Sequence, residues 1–242
     1  MSTATRRTLV AIPAYNEAAT IRDVVARVRE NLPECDLLIV NDGSRDATSA
    51  MVAGTGATVI EHICNLGYGR TIETALFYAQ RRGYDRLVTL DADGQHDPAQ
   101  VRGLLAAFDT GDWDVLVGSR YMLTHRYTGA PLGRRIGMQL FSAIVGIVAG
   151  RRIYDTTSGL KVIGRQTYAA LTNWPFIDFH AEALVYLMRL GYRVGEFPMT
   201  MDERRHGTSM HSPMNHIKYP LKTTLLIVLG IVESTVTKRR AS

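Results

Sequence analysis

The sequence predicts an α/β protein with a doubly wound, mostly parallel central sheet flanked by helices. Three observations predict it. β-rich runs alternate with stretches of helical apolar spacing through the first half of the chain, and the connections between them are short. The length, 242 residues at 46% hydrophobic and 21% charged, suits one large α/β domain or two small ones. Only Cys35 and Cys64 are present, without metal-ligand spacing, so a packed core rather than disulfides or a structural metal has to hold the fold.

The elements follow in order. Thr8 to Ile12 (TLVAI) is a short strand, and NEAATIRDVVARVRE then sets Ile21, Val24, Val25 and Val28 at helical spacing. DLLIV, Asp36 to Val40, is a second strand, and DGSRDATSAMVAG is a turn and helix closed by glycine. ATVIEH is a third strand, GYGRTIETALFYAQRRG a helix ended by Gly83, and RLVTL, Arg86 to Leu90, a fourth strand. Further on, WDVLVGSRY is a strand ending in Ser119 and Arg120, and MLTHRYTGAPLGRR is a polar, glycine-containing segment. YDTTSGLKV brings Asp155, Thr157 and Ser158 to a turn before another strand. FIDFHAEALVYLMRLGYRV is an amphipathic helix with His180 and Glu182 on its first turns.

Sheets of this kind bind ligands beyond the carboxyl ends of their strands. Polar groups collect there once per strand. Pro13, Tyr15, Asn16 and Glu17 follow the first strand, Asn41, Asp42 and Ser44 the second, Asn65 and Tyr68 the third, and Asp91, Asp93 and Gln95 the fourth. A dinucleotide-binding dehydrogenase would carry G-x-G-x-x-G after its first strand; PAYNEAA has no glycine there, and GYGRTI has Ile72 in the third place and in the wrong unit.

The stretch LVTLDADGQHDP is the sharpest feature. A hard divalent cation takes oxygen ligands, and Mg²⁺ usually keeps to one or two protein carboxylates plus substrate phosphates. Read as extended backbone, Asp91, Asp93 and Gln95 share one side of the segment. Asp97 caps a helix that begins at Pro98. Tyr15 stacks on a base or only packs in its loop. Asp42 accepts hydrogen bonds from a base or ribose, or only opens an Asx turn with Gly43. Glu17 reaches a ligand or only favours the helix dipole.

The motifs VAIPAYNE, LIVNDGSRDAT, NLGYGRTIETAL, LDADGQHDP, VGSRY, DTTSGLKV and RRHGTS, in this order over roughly residues 8 to 210, resemble those of the family-2 glycosyltransferases with a GT-A fold. The branch resembled most is that of the dolichol- and polyprenyl-phosphate mannose synthases. The resemblance implies inverting transfer from a nucleotide-diphosphate sugar, assisted by Mg²⁺ or Mn²⁺. It implies that Pro13, Tyr15, Glu17, Asp42, Asp91 and Arg204 meet the donor, that Asp93 and Gln95 hold the metal, and that Arg120 and Arg134 hold a lipid phosphate. A guanidinium fork suits that last task, although each arginine also reads as a solvated surface residue. The chain departs from the branch at Met138, where a serine is expected, and at Met210, where a lysine is expected.

The expected organisation is a catalytic domain over 1–215, with a nucleotide half 8–97 and an acceptor half 98–215, then an amphipathic helix and basic tail over 216–242. A phosphate acceptor needs no strong base. A hydroxyl acceptor, such as a natural-product intermediate, needs one, and Asp178, Glu182 and Asp155 are the carboxylates at hand. Met138 and Met210 favour the hydroxyl acceptor, and the arginines and basic tail the lipid phosphate. A non-catalytic nucleotide-sugar-binding protein is the third reading, against which the intact Asp91, Asp93 and Gln95 stand.

Net charge is +5. The arginines are scattered rather than striped, which gives nucleic acid no track. The apolar segment from Ile136 to Ala149 reads as core or as an interfacial helix, and the tail from His216 to Arg240 as an in-plane helix on anionic lipid or a dimer contact. The apolar runs there, Ile136 to Gly150 and Thr223 to Val232, fall short of the ~20 apolar residues of a spanning helix, and MSTATRRTLVAIP has no secretory apolar run. The expectation is a cytoplasmic protein, peripheral on the inner face of the cell membrane, with both thiols buried in a reducing compartment.

Overall fold

The structure is a computed structural model. It describes residues 6–123, 132–174, 178–200 and 215–241, the side chains of 132–134, 136, 215–221 and 239–241 excepted. The strands are β1 (Thr8–Ala14), β2 (Asp36–Asn41), β3 (Thr58–Glu61), β4 (Arg86–Thr89), β5 (Val115–Ser119), β6 (Lys161–Gly164) and β7 (Val194–Pro198). The helices are α1 (Ile21–Asn31), α2 (Thr48–Val52), α3 (Tyr68–Arg82), α4 (Pro98–Thr110), α5 (Leu132–Ala149), α6 (Tyr168–Thr172), α7 (Ala181–Leu190) and α8 (Asn215–Ala241).

The strands form one seven-stranded sheet in the order β3-β2-β1-β4-β6-β5-β7. All neighbours are parallel except β6, which runs antiparallel to both β4 and β5. Alternation along the strands divides the core between two faces. Leu9, Ala11, Leu38, Val40 and Leu87 pack with α3 and α7, while Val10, Ile12, Ile39 and Val88 pack with α1 and α4. Ile21, Val24, Val25 and Val28 are the buried stripe of α1, as their spacing requires. Asp97 caps α4 by accepting the Ala99 N–H at 3.1 Å, with Pro98 as the first helical residue. Gly83, at φ +69°, closes α3 in a left-handed cap.

Three findings depart from the sequence reading. Cys35 is buried as expected, but Cys64 is exposed, in the loop after β3. That loop runs so close over Gly43 (φ +66°) that a Cβ there would lie 2.6 Å from the Cys64 carbonyl carbon. α7 starts at Ala181, so His180 is its N-cap rather than a helical residue. And β4 ends at Thr89, so the acidic segment is a turn through Asp93 and Gly94 (φ +74°) and not extended backbone.

α8 packs along α7 and buries Thr223, Leu226, Ile227 and Ser234. Gly230 lets it approach Trp174, whose ring would sit 3.1 Å from an added Cβ. Its outer face exposes Leu225, Val228, Val232 and Val236, and α5, which turns Phe141 and Val145 into the core, exposes Leu140 and Ile147. Among the described residues no helix is long and apolar enough to cross a membrane.

Candidate active site

The loops after β1 and β2 are tied to each other. Asn16, at φ +56°, donates its N–H to Ser44 Oγ (2.9 Å) and accepts the Arg45 N–H on Oδ1 (2.8 Å). Glu17 N–H donates to Thr48 Oγ1 (2.8 Å), and Ala18 N–H to Asp46 Oδ2 (3.0 Å). The Glu17 carboxylate accepts the Thr20 hydroxyl at 2.8 Å. Pro13 is the last but one residue of β1, and Tyr15 follows half-buried. Expected donor residues Pro13, Tyr15 and Glu17 therefore stand together at one strand end.

Asp42 stands there too, but its carboxylate is occupied. It is 3% exposed, and Oδ1 meets His62 Nδ1 at 2.7 Å and accepts the Leu66 N–H at 2.9 Å. Oδ2 accepts the Gly67 N–H at 2.8 Å, and the other ring nitrogen of His62 lies 3.0 Å from Thr74 Oγ1 on α3. In this arrangement Asp42 organises the loop after β3. Sequence reasoning missed His62, because only the fold brings it beside Asp42. A cavity of about 330 Å³ opens at these strand ends, lined by Asn41, Ser44, Arg45, Glu61, His62 and Asn65.

β4 delivers the acidic turn. The Gln95 N–H donates to Asp93 Oδ1 at 3.0 Å, so the turn itself, not the pleat, brings these two residues together. Asp91 is held over Gly159, where any Cβ would overlap its carboxylate. The buried His96 ring lies 3.9 Å from Asp91 Oδ2. Burial pushes that imidazole down to about 4 against the pull of Asp93, so it is neutral beside the carboxylates. The donor set fits Mg²⁺ or Mn²⁺ with a shared shell. Asp93 and Gln95 offer oxygens from one turn, and among the described residues no three of His, Cys, Asp and Glu form a cage of their own.

Across β6, the end of β5 delivers Arg120. Its fork closes on the fully buried Asp155, with Nε to Oδ2 and Nη2 to Oδ1 both at 2.7 Å, and Nη2 also reaches Thr157 Oγ1 at 3.3 Å. Burial would lower the guanidinium, but the bonds to Asp155 raise it on balance. Arg120 was expected to offer its fork to a phosphate. The fork is engaged here, and Nη1 is the nitrogen with no bond among the described residues. Glu196 on β7 holds the Asp155 turn by accepting the N–H groups of Tyr154 and Asp155, both at 2.9 Å. Met138, at the expected serine position, is buried with Tyr121 and Tyr154. Arg134 is described only as backbone of α5, and Arg204 and Met210 lie outside the described residues.

The structure sorts the carboxylates considered as bases. Glu182 is fully buried, and its Oε1 accepts the N–H groups of Asp178 (2.9 Å) and His180 (3.0 Å). It caps the start of α7 through that one oxygen, and burial raises its carboxyl. Asp155 is spent on Arg120. Asp178 is partly exposed and pairs with Lys222 of α8 at 2.5 Å. Phe179 beside it is buried at φ +63°.

Lys161 was also missed. It is 4% exposed in β6, and its ammonium donates to the Ser158 carbonyl. Burial pushes it down to about 8, against the pull of Asp91, Asp155 and Glu182. The available signal was a lone cation inside the apolar run GLKVI.

Comparison with known proteins bears on this site. The model of "Glycosyl transferase family 2" matches residues 9–167. The chain is 31% identical over 222 residues to polyprenol monophosphomannose synthase of Mycolicibacterium smegmatis, covering 87% of this chain and 83% of the relative. It is 31% identical over 215 residues to undecaprenyl-phosphate mannosyltransferase of Micrococcus luteus, covering 85% and 88%. Among solved structures, glucosyl-3-phosphoglycerate synthase of Mycobacterium tuberculosis, crystallised with Mn²⁺, UDP-glucose and phosphoglyceric acid, matches with a TM-score of 0.69 at 18% identity, covering 94% of this chain and 80% of that one. At that identity the likeness speaks for the fold alone. The sheet with its acidic turn, the family match and the two relatives agree: the chain belongs to glycosyl transferase family 2, has the GT-A fold and is a glycosyltransferase.

Proposed function

We propose that the protein transfers a sugar, with inversion, from a nucleoside-diphosphate sugar to a polyprenyl phosphate at a membrane surface, assisted by Mg²⁺ or Mn²⁺. The observation that carries the reading is the acidic turn. Asp91, Asp93 and Gln95 gather at the carboxyl end of β4, one strand from Pro13, Tyr15 and Glu17. Asp93 and Gln95 would hold the cation, which supplies charge neutralisation to the departing diphosphate. Pro13, Tyr15 and Glu17 bind the nucleotide, Arg204 its phosphates, and Asp42 shapes the loop that borders it. The acceptor oxygen forms its bond to the anomeric carbon as the bond to the diphosphate oxygen breaks on the opposite side.

A phosphate acceptor arrives as an anion and needs no proton removed. That suits a site in which Asp155 is buried against Arg120 and Glu182 is buried with Oε1 on the N–H groups at the start of α7. Arg134 and the remaining Nη1 of Arg120 are the cations for the acceptor phosphate. The names of the two relatives, a polyprenol and an undecaprenyl-phosphate enzyme, support this acceptor class. The apolar outer stripes of α5 and α8, with Lys222 and Lys238 exposed on α8, suit an interfacial position.

A soluble hydroxyl acceptor is the second reading. The engaged fork of Arg120 and the buried Met138 favour it, with Asp178 as base. One assay separates the two. The purified protein is incubated with Mn²⁺ and a panel of UDP- and GDP-sugars, with and without a short polyprenyl phosphate, and nucleoside diphosphate release is quantified. Release that depends on the lipid phosphate is expected and identifies the donor. Release indifferent to it would sink the lipid reading.

A further inference from the structure

Asp91 is central to the proposed donor site, yet the segment that seats it lies some seventy residues away in sequence. β6 is antiparallel to β4, with Thr89 opposite Lys161. Continued beyond the last pair, this register sets Asp91 against Gly159. Thr89 Oγ1 fastens the crossing by donating to the Gly159 carbonyl at 2.6 Å. At Gly159 a Cβ would overlap both oxygens and the Cγ of the Asp91 carboxylate. The backbone at Gly159 carries no positive φ, so the glycine is there for space and not for a turn. Two residues on, Lys161 is the buried cation among Asp91, Asp155 and Glu182, its ammonium drawn back to the Ser158 carbonyl.

We propose that Gly159 and Lys161 are positioning residues for the donor: the glycine gives the Asp91 carboxylate its seat, and the lysine balances its charge from below the strand ends. A buried ammonium is costly; this one is held by the Ser158 carbonyl, and three carboxylates act on it electrostatically. Here those carboxylates come from the end of β4 (Asp91), the turn before β6 (Asp155) and the start of α7 (Glu182), with Arg120 as the competing cation. The seat is proposed to reach the donor through Asp91. A carboxylate moved by about 1 Å is enough to cost about 10²-fold in transfer.

The inference rests on the reading of Asp91 as a donor-binding residue, so the test is a double-mutant cycle. Affinity for UDP or GDP, whichever the wild type binds in Mn²⁺, is measured by calorimetry for wild type, Gly159→Ala, Asp91→Ala and the double variant. Thermal melts confirm that each is folded. Gly159→Ala is expected to weaken binding about tenfold and to raise KM for the sugar donor more than it lowers kcat. In the Asp91→Ala background the same change is expected to cost less than about twofold. Lys161→Gln, run through the same cycle, is expected to behave alike and stands in if Gly159→Ala does not fold. If Asp91→Ala keeps wild-type affinity, the donor reading fails and the inference with it. If Asp91→Ala loses affinity while Gly159→Ala and Lys161→Gln keep it, the donor reading stands and the inference alone is overturned. Undiminished losses in the double variants also overturn it, because the seat would then act by another route.

Discussion

The two halves of the sheet solve the same problem differently. In the parallel half, β3-β2-β1-β4, each strand runs straight into the polar loop that serves the site, and Tyr15, Glu17, Asp91 and Asp93 remain at least partly accessible. In the half that begins with the antiparallel β6, several polar groups are turned inward onto protein partners, although Glu182 Oε2 is buried without one among the described residues. Arg120 closes on Asp155, Glu196 grips the Asp155 turn, and Glu182 caps α7. The first half presents chemistry. The second half is a frame braced by the Arg120–Asp155 pair and by the bonds of Glu196 to the Asp155 turn. Substitutions on the two sides should therefore fail in different ways, through turnover on one and through stability on the other.

The largest expected effect tests the presenting half. Asp93→Ala should lower nucleoside diphosphate release by at least about 10³-fold, with a melting temperature close to wild type. Normal turnover in that variant would remove the metal from the account. On the bracing half, Asp155→Ala leaves Arg120 enclosed without its partner and should cost about 3–5 kcal/mol in urea unfolding. Replacing both residues, as in Asp155→Ala/Arg120→Met, should recover part of the loss. A cost below about 1 kcal/mol would mean that the pair braces nothing.

A smaller effect sharpens the comparison from the donor side. The folded His96 has a pKa lowered to about 4 from an ordinary 6.5, with burial the main cause. Between those values the unfolded chain binds the proton and the folded chain does not, so stability is lost as pH falls from about 6.5 towards 4. Unfolding by urea at pH 7 and pH 4.5 should show wild type losing about 2 kcal/mol more than His96→Leu over that interval. Equal losses would mean that the imidazole is not held neutral. The smallest effect concerns Glu182→Gln. Its remaining carbonyl oxygen still caps α7, so kcat should change less than about threefold, whereas loss of a general base costs about 10² or more.

Much of the parallel half was legible in the sequence for a simple reason. Strand, loop and helix are consecutive there, so Asp91, Asp93 and Gln95 advertise themselves beside the run that places them. Asp97 and Pro98 likewise announce the start of α4. What was misjudged locally was the backbone of the acidic segment, because Gly94 permits a turn where alternation implied a strand. The half beyond β4 was far less legible. Arg120 and Asp155 are 35 residues apart, and Asp155 and Glu196 are 41 apart. Only the antiparallel insertion of β6 and its pairing with β5 bring such groups together, and no local pattern encodes a pairing between distant segments. Glu182 stood unranked beside Asp178 and Asp155 because the environment of a carboxylate is not written in one dimension. Its burial and its two backbone bonds exist only in three.

The central claim is that the acidic turn holds a cation and a nucleoside diphosphate together. Titration of UDP and GDP into the wild type and into Asp93→Ala, each with and without Mn²⁺, tests it most directly. The account expects Mn²⁺ to tighten nucleotide binding to the wild type by at least about tenfold and to leave Asp93→Ala unaffected. Equal tightening in both proteins, or none in the wild type, would contradict it.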